Sequence, residues 1–134
     1  MAGYSSSPLA KKLGIKDGFT IRLIGKPAYY HSLFTDWPSG VIEVTKPAGK
    51  KDFIHYFATQ SDFIEADIAL LKEELKPAGM LWISWPKKLS KVTTDVTENI
   101  VRDAGLKAGL VDIKVCAVDE VWSGLKFVIR VKDR

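Results

Sequence analysis

Cysteine and histidine are scarce in this chain of 134 residues, which contains one cysteine and two histidines. The single cysteine, Cys116, cannot form an intramolecular disulfide and has no second cysteine with which to bind a metal. It lies in the apolar run IKVCAV, where a free cysteine usually serves as a small hydrophobic residue. His31 and His55 fit no spaced metal-binding motif. We therefore predict no metal site.

Long apolar runs and recognisable catalytic motifs are also missing. No run approaches the ~20 apolar residues that span a bilayer, and no apolar signal region begins the chain, so we expect a cytoplasmic protein without a membrane partner. A phosphate-binding P-loop and the G-x-S-x-G elbow of the α/β hydrolases are absent. Neither histidine has a recognisable triad partner.

The charge balance excludes no class of protein but gives no nucleic-acid signature. Twenty Lys and Arg residues against 16 Asp and Glu residues give a net charge of +4, which is ordinary for a soluble domain. The basic loop KPAGKKD lacks interleaved aromatic residues, so a nucleic-acid partner is not expected. With 46% hydrophobic residues, the chain can form a core. We predict one α/β domain over residues 1–134, with residues 1–7 flexible.

Strand-like runs alternate with helical segments along most of the chain. The predicted strands are FTIRLIG (19–25), VIEVT (41–45), FIHYFAT (53–59), MLWISW (80–85), DIKVCAV (112–118) and LKFVIRV (125–131). Four helices are predicted. The first is SPLAKKLG with a Ser7 cap, and the second is a segment opened by Pro27. The third is capped by Ser61 or Asp62 and stopped by KPAG, with an apolar stripe of Ile64, Ile68, Leu71 and Leu75, and the fourth is TTDVTENIVRDAG with an Asp95–Glu98 capping box.

This alternation predicts a three-layer α/β sandwich with a six-stranded, mostly parallel sheet, because parallel strands need crossover connections. The last two strands are joined only by DEVWSG, which is too short for a crossover. The sixth strand is therefore expected to run antiparallel, at or near an edge.

Chain direction predicts where a site would form, since ligands of open α/β sheets bind outside the carboxyl ends of the strands. This edge receives Trp85, Lys87 and Lys88 after the fourth strand. The hairpin between the fifth and sixth strands adds the residues Asp119, Glu120, Trp122 and Ser123. Other roles stay open: the tryptophans could cap the core, the lysines could be solvated charges, and Lys87 could pair with Asp119 or Glu120.

Two resemblances bear on these expectations. IKDGFTIRLIG, ALLKEELKPAGMLWIS and the final hairpin resemble Rossmann-like S-adenosylmethionine-dependent methyltransferases. The resemblance implies a trimmed version of that fold, with strand order 2-1-3-4-6-5 and one strand–helix unit missing between Thr45 and Phe53. In that family a glycine-rich loop follows the first strand and an acid ends the second. Here the corresponding segments read LIGKPAYY and Glu43–Thr45, so we predict no cofactor.

The second resemblance covers nearly the whole chain. SPLAKKLGIKDG, LWISWPKK, TDVTENIVRDAGL and VDIKVCAVDEVWSGLKFV resemble an uncharacterised bacterial family of small single-domain proteins, a domain of unknown function. That family supplies no chemistry. The resemblance implies that the edge residues, together with Pro86, match motif positions of the family.

The sequence thus favours a non-catalytic domain that binds a small anionic ligand or a protein partner at this edge. A divergent group transferase, possibly dependent on S-adenosylmethionine, is the alternative, with Lys87 and Lys88 holding an anionic substrate and Asp119 or Glu120 as the general base. A third reading is a structural subunit whose aromatic residues form an interface, including one between copies of the chain.

Overall fold

The computed structural model describes residues 7–134, so the predicted flexible segment 1–7 lies outside the described residues except for Ser7. One mixed sheet contains β1 (Thr20–Ile24), β2 (Ile42–Glu43), β3 (Lys51–Phe57), β4 (Leu75–Pro86), β5 (Leu110–Ala117) and β6 (Trp122–Ile129). The strand order β2-β1-β3-β4-β6-β5 confirms the prediction. The pairs among β1 to β4 are parallel, and β6 is antiparallel to both of its neighbours.

Helices cover the two faces of the sheet unequally. The longer helices α2 (Ile64–Lys72) and α3 (Glu98–Lys107) pack on one side, which we call the helical face. The short helix α1 (Leu9–Leu13) and the 3-10 helix Tyr30–Leu33 cover the opposite face. Two further 3-10 turns occupy Lys88–Ser90 and Val131–Asp133.

The central position of β4 explains why its sequence is apolar without alternation. Ile83 and Trp85 belong to the core under the helical face, while Trp82 belongs to the core on the opposite face. A strand that is buried on both faces has no polar side to show in its sequence. The indole N–H of Trp82 donates to the carbonyl oxygen of Leu13 at 2.8 Å, which ties α1 to the sheet.

Long-range contacts displace several predicted helix ends. The Asp36 carboxylate accepts the N–H groups of Ala10 and Lys11, so α1 starts after Pro8 and does not use Ser7 as its cap. The predicted capping box of α3 is also wrong. Thr97 is the N-cap of α3, and Asp95 instead accepts the N–H and hydroxyl of Ser61, at 2.9 and 2.5 Å.

The KPAG segment was expected to stop the helix before it, but it lies within β4. The preceding helix ends at Lys72, and Leu75, predicted as the last residue of its apolar stripe, already pairs with Lys51 of β3. Gly79 makes this pairing possible, because a Cβ there would lie 2.9 Å from the carbonyl oxygen of Lys51. Tertiary pairing therefore overrides the turn-forming tendency of this proline and glycine.

The connection from β2 to β3 contains no helix, which confirms the missing strand–helix unit. A buried lysine organises this short loop. The Lys51 ammonium donates to the carbonyl oxygens of Lys46 and Pro47, at 2.8 and 2.9 Å, and pairs with Glu74 at 2.8 Å. Glu74 also takes the guanidinium of Arg22 at 2.7 Å, so its carboxylate is shared between two cations.

Substituting Gly105 by alanine should destabilise the protein by about 1–2 kcal/mol. A Cβ at Gly105 would overlap the ring of Phe127, which is fully buried. The closeness of this Cβ to the ring puts the cost at the upper end of the range for overpacking, about 1–3 kcal/mol, and the ~1 kcal/mol that alanine gains over glycine in a helix offsets part of it. Urea denaturation measures the difference. The matched control is Asn99→Ala on the exposed surface of the same helix, and a Gly105→Ala protein as stable as the wild type would contradict this packing.

Candidate functional site at the carboxyl edge of the sheet

The end of β4 and the start of β6 are neighbours, as chain direction predicts. Pro86 pairs with Trp122, and Trp85 pairs with Ser123. The N–H of Lys87 donates to the carbonyl oxygen of Val121 at 2.7 Å. The Trp-Pro-Lys-Lys exit is thereby fixed beside the hairpin between β5 and β6.

A cavity of about 500 Å³ opens at this edge, between the end of β4 and the segment that leads into α3. Four predicted site residues line it, namely Trp85, Lys87, Lys88 and Ser123. Trp85 is 6% exposed and forms a wall continuous with the core, Lys87 is half-buried, and Lys88 is exposed. The cavity therefore combines an aromatic wall with two ammonium groups.

The far wall of the cavity, formed by residues 92–98, is held from outside. The Thr94 hydroxyl donates to the carbonyl oxygen of Thr59 at 2.7 Å. The Ser61 hydroxyl and N–H bind the Asp95 carboxylate, and these hydrogen bonds lower the pKa of Asp95 below its ordinary value. Glu98 pairs with Arg102 at 2.7 Å. Both carboxylates of this wall thus have partners.

The other three predicted site residues do not line the cavity. Asp119 is buried, and one of its carboxylate oxygens accepts the N–H groups of Val121 and Trp122, at 2.8 and 2.7 Å, which shapes the hairpin turn. Trp122 packs edge-on against Phe57, with ring centroids 5.0 Å apart, on the opposite face of the sheet. Glu120 is exposed in the turn. The predicted rim is therefore divided between a cavity and a structural turn.

A buried hydrogen-bonded chain that was not among the predicted site residues lies under this edge. The Tyr30 hydroxyl contacts His55 Nδ1 at 2.9 Å, and His55 Nε2 contacts the Ser84 hydroxyl at 2.7 Å. All three residues are 0% exposed. The order of groups resembles a nucleophile, a base and an orienting residue, but full burial keeps a substrate from Ser84. The three residues are far apart in the sequence, and the only signal was the shared strand face of Phe53, His55 and Phe57.

The region after β1 does not fit S-adenosylmethionine in the mode of the methyltransferases that the chain resembles. The single glycine there, Gly25 (φ +69°), lies against β3, since a Cβ would be 2.9 Å from the carbonyl oxygen of Phe57. The ring of Tyr30, in the 3-10 helix that follows β1, packs edge-on against His55 and Phe57 of β3. Glu43, at the end of β2, is engaged by His31 at 2.8 Å. Tyr30 thus packs down the segment that carries the glycine-rich loop in that family, whereas β2, which ends at Glu43 two residues before its predicted end, does end in an acid as it does there.

Comparisons with known proteins bear on the fold. No protein-family model matches the chain, and no curated protein matches it. It is similar to a SAM-dependent methyltransferase from Aquifex aeolicus, at 19% identity and a TM-score of 0.62, over 89% of this chain and 86% of the other. It is also similar to a precorrin-6y C5,15-methyltransferase from Geobacter metallireducens, at 11% identity and a TM-score of 0.59, over 90% of this chain and 85% of the other. The likeness to Aeropyrum pernix fibrillarin, with bound S-adenosyl-L-methionine, is at 14% identity and a TM-score of 0.59, over 90% of this chain and 73% of the other.

The fold is that of the S-adenosylmethionine-dependent methyltransferases. At such identities the likeness shows the Rossmann-like fold and leaves the activity open. Membership of the bacterial domain family stays a prediction. Within residues 7–134, no helix is long and apolar enough to cross a membrane, and no three His, Cys, Asp or Glu residues are grouped to hold a metal ion.

The stability of the protein should fall as the pH drops below about 6.5. Burial lowers the pKa of His55 to about 3, whereas in the unfolded chain this pKa has its ordinary value of about 6.5. Below that pH the unfolded chain binds a proton that the folded protein does not. The free energy of unfolding should therefore decrease by up to about 1.4 kcal/mol per pH unit between pH 6.5 and 4.

Urea denaturation at several pH values checks this prediction. His55→Gln should lose this part of the pH dependence, and His31→Gln, at an exposed position, should keep it. An unchanged slope in the His55→Gln protein would mean that His55 is not held neutral in the fold.

Proposed function

We propose that this methyltransferase-like domain binds a small anionic ligand in the cavity at the carboxyl edge of its sheet and does so without catalysis. The observation that carries the proposal is the position and lining of the cavity, since other cavities of about 510–590 Å³ lie elsewhere in the described residues. Trp85, Lys87, Lys88 and Ser123 line this one, and its volume of about 500 Å³ admits a small molecule. Its position is also the one that open α/β sheets use for ligands.

The charges around the cavity support an anion in preference to a cation. Lys87 and Lys88 each bring a positive charge, and the N-terminal end of α3 adds a partial one. Of the two acids of the wall, Glu98 pairs with the cation Arg102, whereas Asp95 is bound by the neutral Ser61 and keeps its negative charge. The positive charges of the lining still outnumber this negative one. An apolar or aromatic part of the ligand would contact the ring of Trp85.

A group transferase is the less favoured function. Its proposed bases were Asp119, whose carboxylate is bound to two backbone N–H groups, and Glu120, which lies outside the cavity. The segment after β1, which would carry the cofactor loop, is packed onto β3 by the fully buried Tyr30. If the domain instead binds a protein partner or a second copy of itself, its mass in solution would increase and no small ligand would bind.

A thermal-shift screen of sugar phosphates, nucleotides and small carboxylates tests the proposal. A ligand at a hundred times its dissociation constant adds about 2.7 kcal/mol to the free energy of unfolding, which is readily measured. Lys88→Glu should weaken the binding of any ligand found by roughly tenfold or more, because it puts a negative charge at the mouth of the cavity.

The matched control is Lys132→Glu, which makes the same charge change at an exposed position near the end of the chain. If both variants weakened ligand binding equally, the net charge of the protein would explain the effect, and a site at the edge would be contradicted. No stabilisation by any compound, in a protein that forms a stable dimer, would favour the structural subunit.

A further inference from the structure

Four lysines converge on the opposite face of the sheet, away from the edge cavity; we call them the lysine cluster (Lys12, Lys16, Lys114 and Lys126). Lys126 of β6 pairs across the strands with Lys114 of β5, on the face that carries Trp82. The other two lysines come from α1 and the loop that follows it. Like charges directly opposite each other on a sheet destabilise it, so this pairing calls for a physical reason.

The end of α1 accounts for part of the cluster. The Lys114 ammonium donates to the carbonyl oxygen of Lys12 at 3.1 Å, and the Lys12 ammonium donates to the carbonyl oxygen of Ala117 at 2.6 Å. A Cβ on Gly14, the C-cap of α1, would lie 3.6 Å from the Lys126 ammonium. A helix end carries about half a negative charge, which is far less than four ammonium groups supply.

Nearby acids do not complete the balance. None of the four lysines forms an ion pair with a carboxylate of residues 7–134. Acids on the adjoining elements direct their carboxylates to other groups: Asp36 binds the start of α1, Asp17 binds the N–H of Ser39, Asp119 binds its own turn, and Asp112 pairs with Arg102.

The protonation of neighbouring groups is consistent with this excess of positive charge. Partial burial lowers the pKa of Lys126, and the charges of Lys114 and Lys16 lower it further. Burial raises the pKa of the Cys116 thiol, while Lys12 and Lys114 act in the opposite direction. The half-buried thiol therefore lies within the electrostatic reach of the cluster.

We propose that the lysine cluster binds a phosphate group, carried by a small soluble molecule or by a lipid headgroup. A tetrahedral dianion offers several oxygen acceptors, which suits ammonium groups that approach from two strands and a helix end. The absence of arginine from the cluster disfavours planar, bidentate recognition of a carboxylate. This site lies on the other face of the sheet from the edge cavity and does not depend on the proposed function.

Cys116 provides a reporter for this site because it is the only cysteine of the chain. A phosphate that neutralises the lysines would raise the thiol pKa, and each unit of rise leaves about tenfold less reactive thiolate. At pH 8, glycerol 3-phosphate should slow the alkylation of Cys116 by iodoacetamide by about threefold to tenfold. The control is sodium chloride at the same ionic strength, which should not slow it. Vesicles of phosphatidylcholine with phosphatidic acid, compared with phosphatidylcholine alone, test the lipid source.

Lysine variants test whether the phosphate effect arises at the cluster. Lys114→Gln, at an exposed position, and the double variant Lys114→Gln with Lys126→Gln should lose the phosphate effect, whereas Lys88→Glu at the edge cavity should keep it. The site is supported if either phosphate source slows the alkylation of the wild-type protein and does not slow that of the Lys114→Gln protein. No effect with both sources, an effect unchanged by Lys114→Gln, or one abolished by Lys88→Glu would overturn it. Circular dichroism verifies the fold, and the single variant suffices if the double one unfolds.

Discussion

The buried contact between Tyr30, His55 and Ser84 is the constraint on which the rest of the site depends. It joins the 3-10 helix after β1 to the middle of the sheet, and it satisfies three polar groups that have no access to water. Breaking it would leave a buried donor or acceptor unpaired, which costs about 1–3 kcal/mol. The segment after β1 is thereby held down on β3. The accessible opening at the carboxyl edge then lies beside β4 and β6.

The pairing of β4 with β6 positions the residues of the cavity. Antiparallel pairing sets Trp85 beside Ser123 and leaves the chain to exit through two lysines. The same strand β6 carries Lys126 on the opposite face, next to α1. Alternation along one strand therefore separates two positively charged regions, one at the edge and one on the face. A small net charge of +4 conceals this uneven distribution.

The sequence was sufficient for the fold and for part of the lining of the edge cavity. Alternating strands and helices, and a final hairpin too short for a crossover, led to the correct strand directions and so to the cavity residues Trp85 and Lys88. Local sequence rules failed where residues distant in the sequence bind the same groups. Asp36 caps α1, Ser61 hydrogen-bonds Asp95, and pairing with β3 places the KPAG segment in β4. The buried chain under the edge joins residues 25 and 29 positions apart, which no local pattern reveals.

Calorimetric titration with S-adenosylmethionine tests the central claim most directly, namely that side chains of the protein itself occupy the cofactor region. With Tyr30 fully buried against His55 and Phe57, the account predicts no saturable heat up to about 1 mM ligand. One-to-one binding with a micromolar dissociation constant would contradict it, because the Tyr30 segment would then have to leave the sheet.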